Sequence, residues 1–371
     1  MKPRILLLSG YDAASHQYWR KGLLEIFPEV AWTQLILPPR HFSWRMRGNA
    51  FIWATGAEKS KLEARYDLII ATSMVDLTSL FGFFPSLAKT PSILYFHENQ
   101  FAYPQSSRQT DVVHHQLQSI YSAQVATHLI FNSEYNRSTF LDGAGDLLRK
   151  LPDPFPETLV KGWRQKSSLI PVAIFDTNAA ASTKDESNEA IPQILWNHRW
   201  EYDKQPQVFL RAMDKLLQSG FACRLHVIGQ QFRHSPACFD EFHSKWAEYV
   251  DSWGYQKSRD QYNAILHRSH IVVSSALHDF QGVAIQEAMQ AGCIPVVPNR
   301  VAYTEYIPGE LRYSVGSEEE EIDQLANLLR TTAESLRFYK TLKSRLSERY
   351  LSFYIKQEYA TLFDRLLGGE D

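Results

Sequence analysis

The chain has 371 residues, 44% of them apolar and 22% charged, with a formal net charge of −2. A single hydrophobic core usually stops growing at about 250–300 residues, so two domains are expected. The near-neutral balance excludes a protein that coats nucleic acid through a general basic field, and no charge-free apolar stretch reaches the ~20 residues of a membrane span.

The opening run Ile5-Leu6-Leu7-Leu8 is too short for a signal-peptide core and is expected to be a buried strand in a cytoplasmic protein. Strands are expected over 5–9, 32–37, 68–72, 92–96 and 129–132, with helices over 17–27 and 114–126. This alternation predicts a parallel sheet wound by helical crossovers. Within it, residues 38–57 contain no acid but hold Arg40, Arg45 and Arg47 beside Phe42 and Trp44. Guanidiniums for phosphates and rings for bases make this a candidate RNA contact. An amphipathic helix with buried rings and solvated arginines gives the same pattern, so both readings stay open. Lys161, Arg164 and Lys166 around Trp163 form a second, weaker basic patch.

Residues 176–192 lose apolar periodicity and are expected to form a linker between domains 1–175 and 193–371. Strands then follow over 194–197, 224–229, 271–275 and 294–297, and helices over 207–218 and 283–291, the latter stopped by Gly292. Two doubly wound α/β domains facing a central cleft result, with the terminal helices free to cross back to the first. Ligands of such folds bind beyond the carboxyl ends of the strands, and closure on the ligand is expected from the linker. The four glutamates 318–321 are expected to be a solvated first helical turn rather than a metal site. Cys223, Cys238 and Cys293 are too scattered for a metal pair or disulfide framework and are expected to be buried free thiols.

Chemistry concentrates at three strand ends. Asp279, Phe280, Gln281, Gly282, Val283 and Glu287 form an acidic, glycine-turned entry to a helix, whose first amides suit phosphate and sugar oxygens. Glu287 could accept the hydroxyls of a ribose. Arg199 and Lys204 follow a strand and could hold a departing diphosphate, or be paired with Glu201 and Asp203 instead. His97, Glu98 and Asn99 end another strand; a histidine in such a place is more often structural than ligand-binding. His97-Glu98 lacks the second histidine of a zinc helix, and no Asp-x-Asp pair is present, which favours protein cations over a metal.

Together these segments resemble the family-4 retaining glycosyltransferases of GT-B fold. Tyr95-Phe96-His97-Glu98-Asn99-Gln100, Phe131-Asn132-Ser133, Asn197-His198-Arg199-Trp200-Glu201, Trp253-Gly254-Tyr255 and Gly282-Val283-Ala284 are similar to the tRNA-queuosine mannosyltransferases within it. The resemblance implies transfer of mannose from GDP-mannose to the cyclopentenediol of queuosine in a tRNA anticodon, with no cofactor and no metal. It further implies that Arg199 and Lys204 hold the diphosphate, Glu287 the ribose, residues 280–283 the phosphate and sugar, and His97 the transferred sugar. Gly10 and Tyr255 would lie near the donor, Glu98 and Asn99 near the acceptor. Where the wider family has Glu, this chain has Asp279, which is one methylene shorter. Two alternatives remain: a glycan or glycolipid acceptor, and a catalytically silent RNA- or nucleotide-binding module.

Overall fold

The computed structural model describes residues 2–103, 112–176, 191–232, 235–336 and 347–368; most of the expected linker, 177–190, lies outside them. The chain forms two compact units, residues 1–173 with 352–371, and residues 174–351.

The first unit runs β1 (Arg4–Ser9), α1 (Ala14–Ile26), β2 (Ala31–Ile36), α2 (Phe42–Thr55), α3 (Lys59–Leu62), β3 (Leu68–Thr72), α4 (Leu77–Phe83), β4 (Ser92–Phe96), α5 (Val112–Val125), β5 (His128–Phe131), α6 (Glu134–Lys150), α7 (Thr158–Gln165) and β6 (Ser167–Leu169). Its sheet is parallel in the order β2-β1-β3-β4-β5-β6. Every residue of β3, β4 and β5 is buried, which is why they are unbroken apolar runs instead of alternating ones. The strand order reverses between β1 and β3, so the crevice that topology provides opens past Ser9 and Thr72.

The second unit runs β7 (Gln193–Asn197), α8 (Pro206–Gln218), β8 (Arg224–Ile228), α9 (Cys238–Trp246), β9 (Val250–Gly254), α10 (Arg259–Arg268), β10 (Ile271–Val273), α11 (Val283–Gln290), β11 (Ile294–Pro298), β12 (Arg312–Tyr313) and α12 (Glu318–Glu334). Its parallel order is β12-β11-β10-β7-β8-β9, and here the reversal falls between β7 and β10. The last helix, α13 (Ser352–Gly368), belongs to the first unit, where Trp19 of α1 donates to the Tyr359 hydroxyl at 3.1 Å. Among the described residues no helix is long and apolar enough to cross a membrane.

Several elements depart from expectation. Residues 134–165 form α6 and α7, which the two glycines of α6 concealed; Gly143 is there because a Cβ would meet the Phe101 Cβ at 2.5 Å and its ring at 2.6 Å. β10 ends at Val273 and not at 275, although the Ser274 amide still donates to the Val296 carbonyl; the hydroxyls of Ser274 and Ser275 bond Tyr303 and the Lys204 carbonyl. Of the glutamates 318–321, Glu320 completes a capping box with Ser317 and Glu318 and Glu319 pair with Arg211. Glu321, however, is buried and bonded to Arg300, so the turn is not wholly solvated. Cys223 and Cys293 are buried as expected, but Cys238 is only half-buried.

Two glycines of the second unit separate backbone strain from steric blockage. Gly220 has φ +78° with open space around it, whereas Gly229 has φ +151° and a Cβ there would lie 1.7 Å from the His198 carbonyl oxygen. Gly220→Ala is expected to cost about 1 kcal/mol, and Gly229→Ala about 3 kcal/mol or more, because the β7 tip must move. Thermal unfolding of the two variants checks this; equal losses would show that the contact with His198 does not matter.

Candidate functional site

In the second unit the strand reversal brings together the turns that follow β7 and β10. After Asn197 the chain passes through His198, Arg199 and Trp200 into a short 3-10 turn, Tyr202–Lys204, and then into α8 through Gln205, whose φ of +42° is unusual for a non-glycine residue. Pro206 opens α8 with its φ already helical. Trp200 anchors the turn by stacking on Phe239, ring centres 3.7 Å apart.

Lys204 lies in the middle. Its side chain is 10% exposed, and the ammonium donates to the His278 carbonyl at 2.6 Å, with Asp203 at 3.3 Å and Asp279 at 3.7 Å. The Leu277 amide donates to the Asp203 carbonyl at 2.9 Å and the Ser275 hydroxyl to the Lys204 carbonyl at 2.8 Å, so backbone bonds join the same two turns. Arg199 is half-exposed and pairs with Glu201 and, at 3.6 Å, with Asp203. Both cations are therefore paired with acids of their own turn, the arrangement the sequence held open. His198 is buried beside them; burial first, and then Lys204, push its imidazole down to about 4.

Asp279 accepts from the Gly282 amide and the Tyr303 hydroxyl, both at 3.0 Å. Burial raises its pKa, but Lys204, His198 and the Tyr303 bond outweigh that and hold it below the usual carboxylate range. Both oxygens thus fasten the turn and the lysine, so Asp279 shapes the site before it can touch a ligand. Gly282 has φ +77°, and a Cβ there would meet Tyr306 Oη at 2.6 Å and Tyr303 at 2.7 Å. Only glycine fits, and α11 starts immediately after it with the amides of Val283, Ala284 and Ile285 lacking carbonyls within the helix. The side chains of Phe280 and Gln281 are both buried. Phe280 packs edge-on against His278 and Gln281 donates to Gln286 at 2.7 Å, so any ligand contact from these two is through backbone.

Glu287 is buried one turn further along α11. Arg259 pairs with one oxygen and the Tyr262 hydroxyl donates to the other at 2.9 Å, while Asn197 donates to Tyr262 at 3.1 Å. Each carboxylate oxygen keeps a second lone pair for a further donor. Tyr255 follows β9 and is 63% exposed.

Arg300 carries no signal in the sequence. Its guanidinium bonds both oxygens of Glu321 at 2.8 and 2.7 Å, Gln205 at 3.0 Å and the Ala276 carbonyl at 2.9 Å, and so clamps both turns to α12. Arg259, Tyr262 and Tyr303 were likewise missed, since nothing in their spacing points to the carboxylates they hold.

In the first unit His97 leaves β4 buried, stacked on His16 with ring centres 4.2 Å apart and edge-on to Trp19. Burial, and then His16, hold it well below the ordinary imidazole range, and its buried Nε2 has no hydrogen-bond partner among the described residues. Glu98 is partly exposed and lies 3.4 Å from His16. The Asn99 side chain is engaged within its own loop: its amide donates to Asn136 and Thr139 and its carbonyl accepts from the Phe101 and Ala102 amides. Gly10 follows β1, where a Cβ would lie 3.2 Å from the Met74 carbonyl.

The segment 38–57 contains α2. Arg40, Trp44 and Arg47 are exposed, and none of the three arginines pairs with an acid among the described residues. Arg45 is half-buried with its Nε sealed and unbonded. Phe42 packs against Tyr11 and His115 and is not free to stack on a base. In the second basic patch Lys161 and Arg164 are exposed. Trp163 is core, Lys166 donates to the Gln124 and Ala126 carbonyls, and Arg164 pairs with Glu134.

A family model described as tRNA-queuosine alpha-mannosyltransferase N-terminal matches residues 4–174, and a second, glycosyl transferases group 1, matches residues 192–333. The chain is 28% identical over 323 residues to the tRNA-queuosine alpha-mannosyltransferase of Drosophila melanogaster, covering 85% of each. Among solved structures it is similar to sucrose-phosphate synthase from Thermosynechococcus elongatus, with a TM-score of 0.72 and 14% identity over 100% of both chains. It is also similar to Anabaena Alr3699/HepE in complex with UDP and glucose, with a TM-score of 0.68 and 13% identity over 98% of this chain and 100% of that one. Likeness at such identities establishes the fold, which is GT-B with two Rossmann-like units.

The lowered His198 has a consequence for stability. An unfolded histidine takes its proton near pH 6.5 and the folded one near 4, so the contribution is present above 6.5 and is lost as pH falls through that window. At pH 5 the loss is expected to be roughly 2 kcal/mol, with His226 and His128, also pushed to about 4 by burial, acting in the same direction. Urea midpoints of the wild type and of His198→Gln at pH 7 and pH 5 test this; an equal shift in the two proteins would mean that His198 does not contribute to it.

Proposed function

We propose the reaction from one premise: the chain belongs to the tRNA-queuosine alpha-mannosyltransferase family of glycosyltransferases. The protein moves mannose from GDP-mannose onto a hydroxyl of the queuosine cyclopentenediol in a tRNA anticodon, with retention at the anomeric carbon. The observation that carries the acceptor is the similarity to the Drosophila enzyme across most of both chains. A tRNA substrate and free cysteines agree with a cytoplasmic setting.

In this reaction the bond between the sugar C1 and the β-phosphate oxygen breaks, a bond from C1 to the queuosine oxygen forms, and the hydroxyl proton passes to the departing phosphate on the same face. Charge grows on the diphosphate as it leaves, and stabilising it calls for positive groups fixed beforehand. Arg199 is assigned this role as the exposed cation that can exchange Glu201 for phosphate. Lys204, held by Asp203 and Asp279, supplies a fixed field, and the first amides of α11 supply donors. These groups take the place of a divalent metal, and the reaction needs no cofactor beyond its two substrates. Glu287 accepts from the ribose through its remaining lone pairs, Tyr255 lies by the base, and His97 meets a sugar hydroxyl as a neutral imidazole. Asp279 is a positioning residue here, which explains how the shorter side chain suffices.

Purified protein is to be incubated with queuosine-containing tRNA and, in parallel, GDP-mannose and other nucleotide sugars, and the digested nucleosides weighed. A hexose added to queuosine with GDP-mannose alone is expected; addition from another donor, or to no nucleoside, would overturn the reading. Arg199→Ala is expected to slow turnover by about a hundredfold with little change in melting temperature. Lys204→Ala is expected to lower both, because two buried carboxylates lose their partner. A near wild-type rate for Arg199→Ala would remove that residue from the site.

A further inference from the structure

Trp44, Arg47, Gly48 and Phe51 stand at spacings of three, four and seven along α2 and so share one helix face. That face is open to solvent: Trp44 and Phe51 are each 53% exposed, and Arg47 is exposed as well. Gly48 keeps it flat, because a Cβ there would meet the Trp44 ring at 2.8 Å; the indole lies down along the helix over the glycine. Beyond Phe51 the row continues into Phe83 of α4, 49% exposed, with ring centres 6.3 Å apart. The opposite face of α2 is anchored by buried Met46, Asn49, Ala50 and Trp53, so the row is presented on a fixed support.

We propose that Trp44, Arg47, Phe51 and Phe83 form a stacking platform for unpaired nucleotides of the tRNA. The proposal rests on the acceptor reading above and adds residues that the sequence did not single out. Large rings open to water are the informative departure from normal burial, since scattered exposed aliphatics need no explanation. Every base has a π-face, and rings interleaved with a guanidinium suit a single strand whose bases and phosphates alternate. From Trp44 to Phe51 the helix advances about 10 Å, room for about three stacked nucleotides at ~3.4 Å each. A membrane-surface helix would instead carry its cations on the face opposite its rings. Here Arg47 lies between two of them and meets no acid among the described residues.

The test compares wild type with Trp44→Ala/Phe51→Ala/Phe83→Ala, with Arg47→Ala and with Trp44→Phe. Binding of an unmodified anticodon stem-loop RNA is measured by anisotropy, binding of anionic phospholipid vesicles by sedimentation, and turnover on queuosine tRNA by nucleoside mass. The triple variant is expected to bind RNA at least ten-fold more weakly and to raise KM for tRNA, with kcat and KM for the nucleotide sugar unchanged. Arg47→Ala should also reduce the slope of log affinity against log salt by about 0.7, and Trp44→Phe should keep most of the affinity. Wild-type RNA affinity in the triple variant would overturn the proposal, as would loss of vesicle binding alone, which would make this a membrane face. RNA binding is read without turnover, so a wild-type protein that transfers no sugar would remove the acceptor reading while the binding comparison still decides the platform.

Discussion

The second unit is organised around an ammonium taken out of water. A buried lysine is costly unless its three protons and its charge are met, and Lys204 is met by one carbonyl and two carboxylates from two different turns. This requirement draws the turn after β10 onto the turn after β7. Once drawn, the pair must be held, and the guanidinium of Arg300 does so with Glu321 behind it. The left-handed Gln205 and Val301 flank that clamp, in a conformation that a β-branched residue rarely adopts. Such strain persists where surrounding contacts over-determine it, and it is a common mark of functional turns.

The same logic explains why the site lies where it does. In both sheets the strand order reverses once, between β1 and β3 and between β7 and β10. At such a point neighbouring crossovers leave in opposite directions and open a crevice that no helix covers. In the second unit Lys204, Asp279 and the start of α11 all lie past that reversal; in the first, Gly10 and the loop at Met74 do. Glycine is placed where backbone must pass backbone, at Gly229 against His198, or ring against helix, at Gly282 against Tyr303.

Most of this was legible in the sequence where one physical signal dominated. β3 and β4 were placed to the residue because a fully buried strand has no polar interruption. Arg199, Lys204, Asp279 and Glu287 stood out as charges at strand ends. What stayed hidden depended on pairing across elements: Arg300 bonds Glu321, from which β12 separates it in the sequence, and Tyr262 reaches Glu287 from α10. The polar residues that end β4 are ambiguous for a related reason. A polar side chain ending an apolar strand signals unmet hydrogen bonds, but those bonds can belong to the loop itself, as those of Asn99 do. On α2 a count of rings and arginines could not say which rings were core, and the structure divides them, Trp53 inward and Trp44 outward.

The return of α13 to the first unit bears on how the protein is made. Trp19, Phe27 and the neighbouring face of α1 are covered by Tyr359 and Phe363, yet these emerge only after residues 174–351 have been synthesised. At the usual pace of translation that interval is roughly 10–35 s. Throughout it the nascent first unit displays an uncovered apolar strip, a natural place for a chaperone to hold. A ribosome that stalls inside the second unit would therefore release a product whose flaw lies in the half already completed.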